Sequence, residues 1–274
     1  MNLLFVNWNP DPIIFSLGSF ALRWYSLFWM IALLSGSAVI YKLYQLKKLP
    51  IDTFQTLFTY CFIGIFLGAR LGHCLFYDPE YFLPRPLEIF LPIRFLPDGD
   101  WKFTGYAGLA SHGGTLGLII ALYFFCKKTK IRYIEILDMM GIAAPLASGF
   151  IRMANLMNSE IIGMPSQVSW AFVFERVDML PRHPAQLYEA LAYFCIFVIS
   201  VILYKTQAAK LKDGFFFGFC LASIFIFRFF IEFLKERQVD FEASLPIDMG
   251  QILSIPLMIV GVYFMAKGLK SNRS

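Results

Sequence analysis

Seven apolar runs divided by polar intervals set the pattern of the chain: residues 17–41, 54–77, 106–126, 134–154, 185–204, 214–233 and 249–266. Crossing a hydrocarbon core about 30 Å thick takes roughly 20 helical residues, and each run approaches or exceeds that length. The runs are far longer than barrel strands, and in lipid each backbone N–H and C=O must be bonded within its own segment, so they predict helices. The expected fold is an all-α polytopic membrane protein, one domain over 1–274, with about seven transmembrane helices. The longest intervals are 78–105 and 155–184. Within the first, PLEIFLPIRFLP alternates prolines with apolar residues and isolated charges, the pattern of a segment lying along the membrane interface.

Charge orients these helices. Lys42, Lys47, Lys48, Lys127, Lys128, Lys130, Arg132, Lys205, Lys210, Lys212, Lys267, Lys270 and Arg273 fall at one set of helix ends. Arg85, Arg94, Lys102, Arg176, Arg182, Lys235 and Arg237 fall at the other, with most of the acidic residues. The positive-inside rule then predicts the N-terminus outside and the C-terminus in the cytoplasm. These anchors account for the net charge of +5, which therefore implies no nucleic-acid partner. The opening MNLLFVNWNPDPIIF holds no Lys or Arg, so it lacks a basic leader region and the first span is expected to stay. A chain that is 58% hydrophobic and 16% charged excludes a water-soluble domain. The five cysteines are scattered without C-x-x-C spacing and read as small apolar packers, with Cys74, near an outer interface, left open. No H-E-x-x-H or similar ligand pattern appears, and no metal or cofactor is expected.

Four arginines remain, Arg23, Arg70, Arg152 and Arg228, inside or at the edge of the predicted spans. An arginine near the hydrocarbon core costs about 2.5–3.5 kcal/mol on insertion scales, so it calls for a partner, a cavity or an escape to the headgroups. In the predicted topology all four lie in the outer half of the membrane, as do His73, His112 and His183. Cations and imidazoles gathered on one side suggest a cavity open to the outer leaflet and suited to an anion, with snorkelling as the alternative for each. In GARLGHCLFY, Arg70, His73 and Tyr77 share a face, while Gly64, Gly68 and Gly72 form a small-xxx-small stripe for helix packing. In SGFIRMANLMNSEIIG, Arg152 and Asn155 share a face and Asn158 and Glu160 follow; a ligand site and an end-of-helix network are both open readings.

In RHPAQLYEALAYF, Pro184 stands at the expected first helical position, behind His183. Gln186 and Glu189 then lie on one face, at a helix N-terminus able to attract an anion. His183 reads equally as an interfacial residue. In IFIFRFFIEFLKERQ, Arg228 and Glu232 are spaced i, i+4, either as a self-neutralising pair or as ligand contacts. Finally, GYAGLASHGGTLGLII sets Ser111, His112 and the Gly113-Gly114 pair at a predicted interface, where a plain membrane helix would carry apolar residues.

GLASHGG, the R-x-x-N-x-x-N-x-E run from Arg152 to Glu160, HPAQLYE and RFFIEF together resemble the prolipoprotein diacylglyceryl transferases of bacterial inner membranes. RWYSLFW, GARLGHCLFY and DMGQILSIP extend the resemblance over almost the whole chain. It implies transfer of a diacylglyceryl group from phosphatidylglycerol to the thiol of a preprolipoprotein lipobox cysteine, with glycerol phosphate released and a thioether formed. The partners it implies are phosphatidylglycerol, membrane lipids and lipobox signal peptides, with the site toward the outer leaflet. The family pattern places its functional histidine at His112 and its paired arginines at Arg152 and Arg228. Further positions fall at Tyr25, Asn155, Glu160, Gly163 and Glu232. Arg70, Asn158, His183, Gln186 and Glu189 join them as candidate substrate contacts. The chemistry agrees: an imidazole takes the thiol proton, guanidinium groups stabilise the leaving phosphate, and glycines let backbone and substrate approach. Ile224 stands where relatives often carry tyrosine, and Ser26 where glycine is common after RWY. A transporter or flippase for an anionic lipid ranks second, since it requires access from both sides and no inverted repeat is visible. A serine hydrolase is weaker, because Ser111 and His112 are adjacent without a triad.

Overall fold

A computed structural model describes residues 5–18, 20–96, 99–106, 108–236 and 247–269. Arg237, Lys270 and Arg273, and the first four residues of the N-terminal stretch, lie outside the described residues. Six helices among those described are long and apolar enough to cross a membrane. These are α1 (Trp24–Leu46), α2 (Ile51–Phe76), α6 (Tyr133–Asn158), α7 (Ala185–Gln207), α8 (Phe215–Ile231) and α9 (Met249–Leu269). The third apolar run forms α5 (Ser111–Thr129), which is not among the six. Ser111, His112 and Thr115 at its start and Lys127 and Lys128 in its last turn shorten its apolar length.

Short strands and helices join the helical set. The first predicted span begins too early: residues expected to open a helix at 17 instead form an antiparallel hairpin of β2 (Ile13–Leu17) and β3 (Phe20–Arg23). Gly18, at φ +60°, makes its turn, and the Trp24 amide donates to the Pro12 carbonyl at 3.1 Å to close it. Apolar β-branched and aromatic residues satisfy a strand as well as a helix, so hydropathy alone did not separate the two. Arg23 consequently ends a strand and is exposed, rather than sitting early in a span. Residues 106 and 108–110 likewise form no helix. The interval 78–105 contains α3 (Pro79–Phe82), α4 (Pro86–Phe90) and a hairpin of β4 (Ile93–Phe95) with β5 (Trp101–Phe103). β1 (Val6–Trp8) runs parallel to β6 (Phe172–Phe174), which pairs antiparallel with β7 (Pro181–Arg182).

The chain divides into two units, Tyr44–Ile136 and a second formed by Met1–Leu43 with Leu137–Ser274. In the first unit α2 and α5 meet along glycines. A Cβ added at Gly68 would lie 2.8 Å from the Gly117 Cα, and one at Gly72 2.8 Å from the Gly113 Cα. The stripe at Gly64, Gly68 and Gly72 is thus a packing seam, as its spacing predicts. Gly113 belongs to that seam and is turned to α2, which corrects the expectation that it opens room for substrate. Cys74 is fully buried against Phe82 and Ile89, as an apolar packer.

In the second unit Asp138 reaches from α6 to the start of α8. Its Oδ2 accepts from the Gly214 amide at 2.7 Å and its Oδ1 from the Phe217 amide at 2.8 Å. A carboxylate there satisfies N–H groups that a helix start leaves unpaired and complements the positive end of the dipole. Trp8 Nε1 donates to the Leu156 carbonyl at 2.9 Å, doing the reciprocal service at the end of α6. Leu156, Ile162 and Phe174, with Trp8 and Leu187 against them, pack the sheet onto the helix ends.

Candidate functional site

The end of α6, the start of α7 and the end of α8 carry a connected set of polar side chains in the second unit. α6 continues to Asn158, and the chain then turns through two non-glycine residues in left-handed conformation, Ser159 (φ 57°) and Ile161 (φ 56°). Each costs of order 1 kcal/mol or more and persists only where surrounding bonds hold it. Here the turn folds Glu160 back onto its own helix. Its Oε2 accepts from Asn155 Nδ2 at 3.1 Å and its Oε1 from Asn158 Nδ2 at 3.0 Å. Asn155, buried, accepts in turn from Arg152 Nη1 at 3.3 Å. The R-x-x-N-x-x-N-x-E spacing therefore closes into one network.

α7 brings a carboxylate to it. Pro184 stands just before the helix rather than as its first residue, and Gln186 and Glu189 face inward, both fully buried. Glu189 Oε2 lies 3.2 Å from Arg152 Nε, and its Oε1 lies 3.0 Å from Lys235 Nζ and 3.4 Å from the Tyr193 hydroxyl. Lys235 also lies 2.8 Å from Glu232 Oε2. Gln186 Nε2 donates to the Glu160 carbonyl, binding α7 to the turn after α6. Gln186 Oε1 and Ser159 Oγ are buried without a hydrogen-bond partner among the described residues. Such groups cost about 1–3 kcal/mol unless something meets them, so they point to a site built for a polar guest.

Arg228 is the exception in this set. The i, i+4 pair with Glu232 does not form: Glu232 turns to Lys235 instead. Among the described residues the half-buried Arg228 guanidinium makes no hydrogen bond or ion pair, although Tyr193 lies within electrostatic reach of both Arg152 and Arg228. A guanidinium without an ion pair, beside carboxylates that each lie within ion-pair distance of another cation, is suited to an anion.

Gly163 has a backbone reason for being glycine. Its amide donates to the His183 carbonyl at 3.0 Å, and the Met164 amide to the Leu234 carbonyl at 2.8 Å, so three segments meet there. A Cβ would lie 2.5 Å from the His183 oxygen and 2.8 Å from that of Leu234. His183 itself is half-buried, and its Nδ1 lies 3.2 Å from the Tyr188 hydroxyl, which accepts from Trp170 Nε1 at 2.7 Å. Nearby, hydrogen bonds from Arg182 hold the Asp178 carboxyl below its ordinary range, and Asp178 in turn raises Arg182.

Two predicted contacts sit in the unit 44–136. Arg70 is buried, and its Nε and Nη2 donate to the carbonyls of Ile89 at 3.0 Å and Glu88 at 2.7 Å, with Phe82 under the guanidinium at 4.7 Å. These bonds spend the cation on backbone, so the geometry supports a structural post rather than a free anion contact. His112 is the second residue of α5 and exposed, placed there after the Ala110 amide bonds to the Ala69 carbonyl at 2.9 Å. Tyr25 is the second residue of α1 and half-buried, its ring 6.5 Å from that of Trp29.

The structure thus joins Arg152, Asn155, Asn158, Glu160, Gln186 and Glu189, links Glu232 to them through Lys235, and sets Gly163 and His183 on the adjoining backbone. Lys235 and Tyr193 are the members the sequence reading missed. Lys235 was counted as a loop anchor, yet its spacing of three from Glu232 and seven from Arg228 is a helical face and was the available signal.

The fold and this site define a polytopic membrane protein with a buried, cation-rich polar site among its helix ends. A family model described as prolipoprotein diacylglyceryl transferase matches residues 12–267. A protein of Bacteroides fragilis named phosphatidylglycerol–prolipoprotein diacylglyceryl transferase is 59% identical over 263 residues, covering 96% of this chain and 95% of its own. Proteins of the same name from Chloroherpeton thalassium and Porphyromonas gingivalis are 42% and 36% identical, each aligned with 97% of this chain and with 95% and 96% of their own. The chain belongs to the prolipoprotein diacylglyceryl transferase family.

Proposed function

We propose that this chain transfers the diacylglyceryl group of phosphatidylglycerol to the cysteine thiol of a prolipoprotein lipobox, the first step of lipoprotein maturation in the bacterial inner membrane. In the reaction a C–S bond forms at the glyceryl carbon as the C–O bond to phosphate breaks. The thiol proton passes to a base, and the phosphate leaves as glycerol phosphate. The unneutralised Arg228 beside the Arg152 network carries this reading, because developing negative charge on the leaving phosphate is what such a cation stabilises. Asn155, Asn158, Glu160 and Glu189 hold Arg152 in place, and the unpartnered Gln186 and Ser159 oxygens offer further contacts to a glycerol headgroup. Tyr25 and Gly163 enter from the family pattern, Gly163 as the close backbone crossing described above. His112 is the proposed base, on the family pattern and on the need to ionise a thiol whose ordinary pKa of about 8.5 lies above neutrality. The site faces the outer leaflet in this reading, with the N-terminus outside.

Purified protein given phosphatidylglycerol and a lipobox peptide is expected to yield a thioether-linked diacylglyceryl peptide and an equal amount of glycerol phosphate. Lipid movement across a bilayer without that product would favour the transporter instead.

A further inference from the structure

We propose that Lys235 is a positioning residue that holds the Glu232 carboxylate away from Arg228 and so keeps that guanidinium open for phosphate. The inference rests on Arg228 being the anion-binding cation of the proposed site.

Residues of opposite charge four apart on a helix are neighbours, and a guanidinium with a carboxylate is the strongest such pair. Their attraction grows as water is withdrawn. Arg228 and Glu232 meet those conditions, yet they stay apart. Three features explain it. α8 ends at Ile231, and Glu232–Leu234 tighten into a 3-10 turn that brings Lys235 back against Glu232, at 2.8 Å. The backbone of Lys235 is held by an antiparallel bridge to Gly163, with the Met164 amide donating to the Leu234 carbonyl at 2.8 Å and the Glu236 amide to the Ile162 carbonyl at 3.1 Å. Gly250, at the start of α9, leaves the room that the Glu232 carboxyl occupies; a Cβ there would lie 2.6 Å from the carboxyl carbon.

The charges then fall in a fixed order. Glu189 is met by Arg152 and Lys235, Glu232 by Lys235, and Arg228 by neither carboxylate. Without the lysine charge, Glu232 loses its partner and Arg228, one helical turn back, becomes its nearest substitute. Phosphate would then compete with the protein's own carboxylate. Lys235 is thus needed less for its own contact with lipid than for what it prevents.

The test is a double-mutant cycle read by calorimetric binding of glycerol phosphate to the full-length protein in detergent. Lys235→Met is expected to weaken binding about tenfold or more, as loss of one charge-assisted phosphate contact would. Lys235→Arg keeps the cation and should bind within about threefold of wild type. In a Glu232→Gln background the same Lys235→Met change should cost little, because a neutral amide cannot quench Arg228. A misfolded variant would not be repaired by a second substitution. Equal losses from Lys235→Met in both backgrounds, or none in either, would overturn the proposal. Arg228→Ala is the control: normal glycerol phosphate binding by that variant would sink the anion-site reading itself, whereas weak binding by Arg228→Ala with normal binding by Lys235→Met would sink only the role of Lys235.

Discussion

Arg70, Arg152 and Arg228 enter the sequence alike, as arginines inside apolar runs, and end in three environments. Arg70 is bound to backbone carbonyls, Arg152 to a carboxylate and an amide, and Arg228 to neither. Their substitutions should differ in kind. Arg70→Ala strips donors from buried carbonyls, each worth about 1–3 kcal/mol, and should lower the thermal midpoint of the purified protein. Arg228→Ala should leave that midpoint nearly unchanged and cut transfer by about a hundredfold or more, with Arg228→Lys recovering only part of the loss because it lacks the planar fork. A normal transfer rate for Arg228→Ala would return the residue to a snorkelling role. His112→Gln should slow transfer at neutral pH, with the deficit narrowing as pH rises toward and past the thiol pKa of about 8.5. A deficit constant with pH would remove the base role and leave the transferase assignment standing.

At the scale of elements, the seam between α2 and α5 and the turn between β6 and β7 make separate predictions. Gly68→Leu would drive a side chain into the Gly117 backbone and should destabilise the helix pair, seen as loss of folded protein after extraction. Its failure to do so would mean that the helices can part along the seam. The Asp178–Arg182 pair, outside the spans, gives a pH dependence. Asp178 is held below its ordinary value by Arg182, so its contribution is complete above the unfolded carboxylate pKa of about 3.9. It is lost as pH falls through the lower folded value. Trp170 fluorescence should report an acid transition in this segment that Asp178→Asn removes; a transition unchanged in Asp178→Asn would place its cause elsewhere.

At the scale of the whole molecule, the loop lysines give a sidedness that is open to measurement. Single cysteines placed in 42–53, 127–133 and 205–213 should resist impermeant thiol reagents in intact spheroplasts and react after lysis. Labelling from outside would reverse the topology and move the proposed site to the other leaflet. The same experiment on 127–133 bears on α5, because that loop follows the helix not among the six long apolar ones.

What the sequence by itself determined was the class of the molecule and which polar side chains to propose for the site. Hydropathy over 20-residue runs reports how much apolar surface lipid must cover, and it found each long helix. The i, i+3 and i, i+4 spacings report which side chains share a face, and they found Arg152 with Asn155 and the Gly64, Gly68 and Gly72 seam. Both signals are local. The tertiary structure decided the rest, because partner choice depends on segments far apart in the chain. Whether residues 13–23 continue a helix or fold into a hairpin rests on a turn at Gly18 and on the Pro12 carbonyl that takes the Trp24 amide. Whether Glu232 neutralises Arg228 or leaves it open rests on a 3-10 turn, a bridge to Gly163 and the missing side chain of Gly250. Spacing brought that carboxylate within reach of two cations, Arg228 and Lys235, and only the folded backbone around Lys235 selected between them.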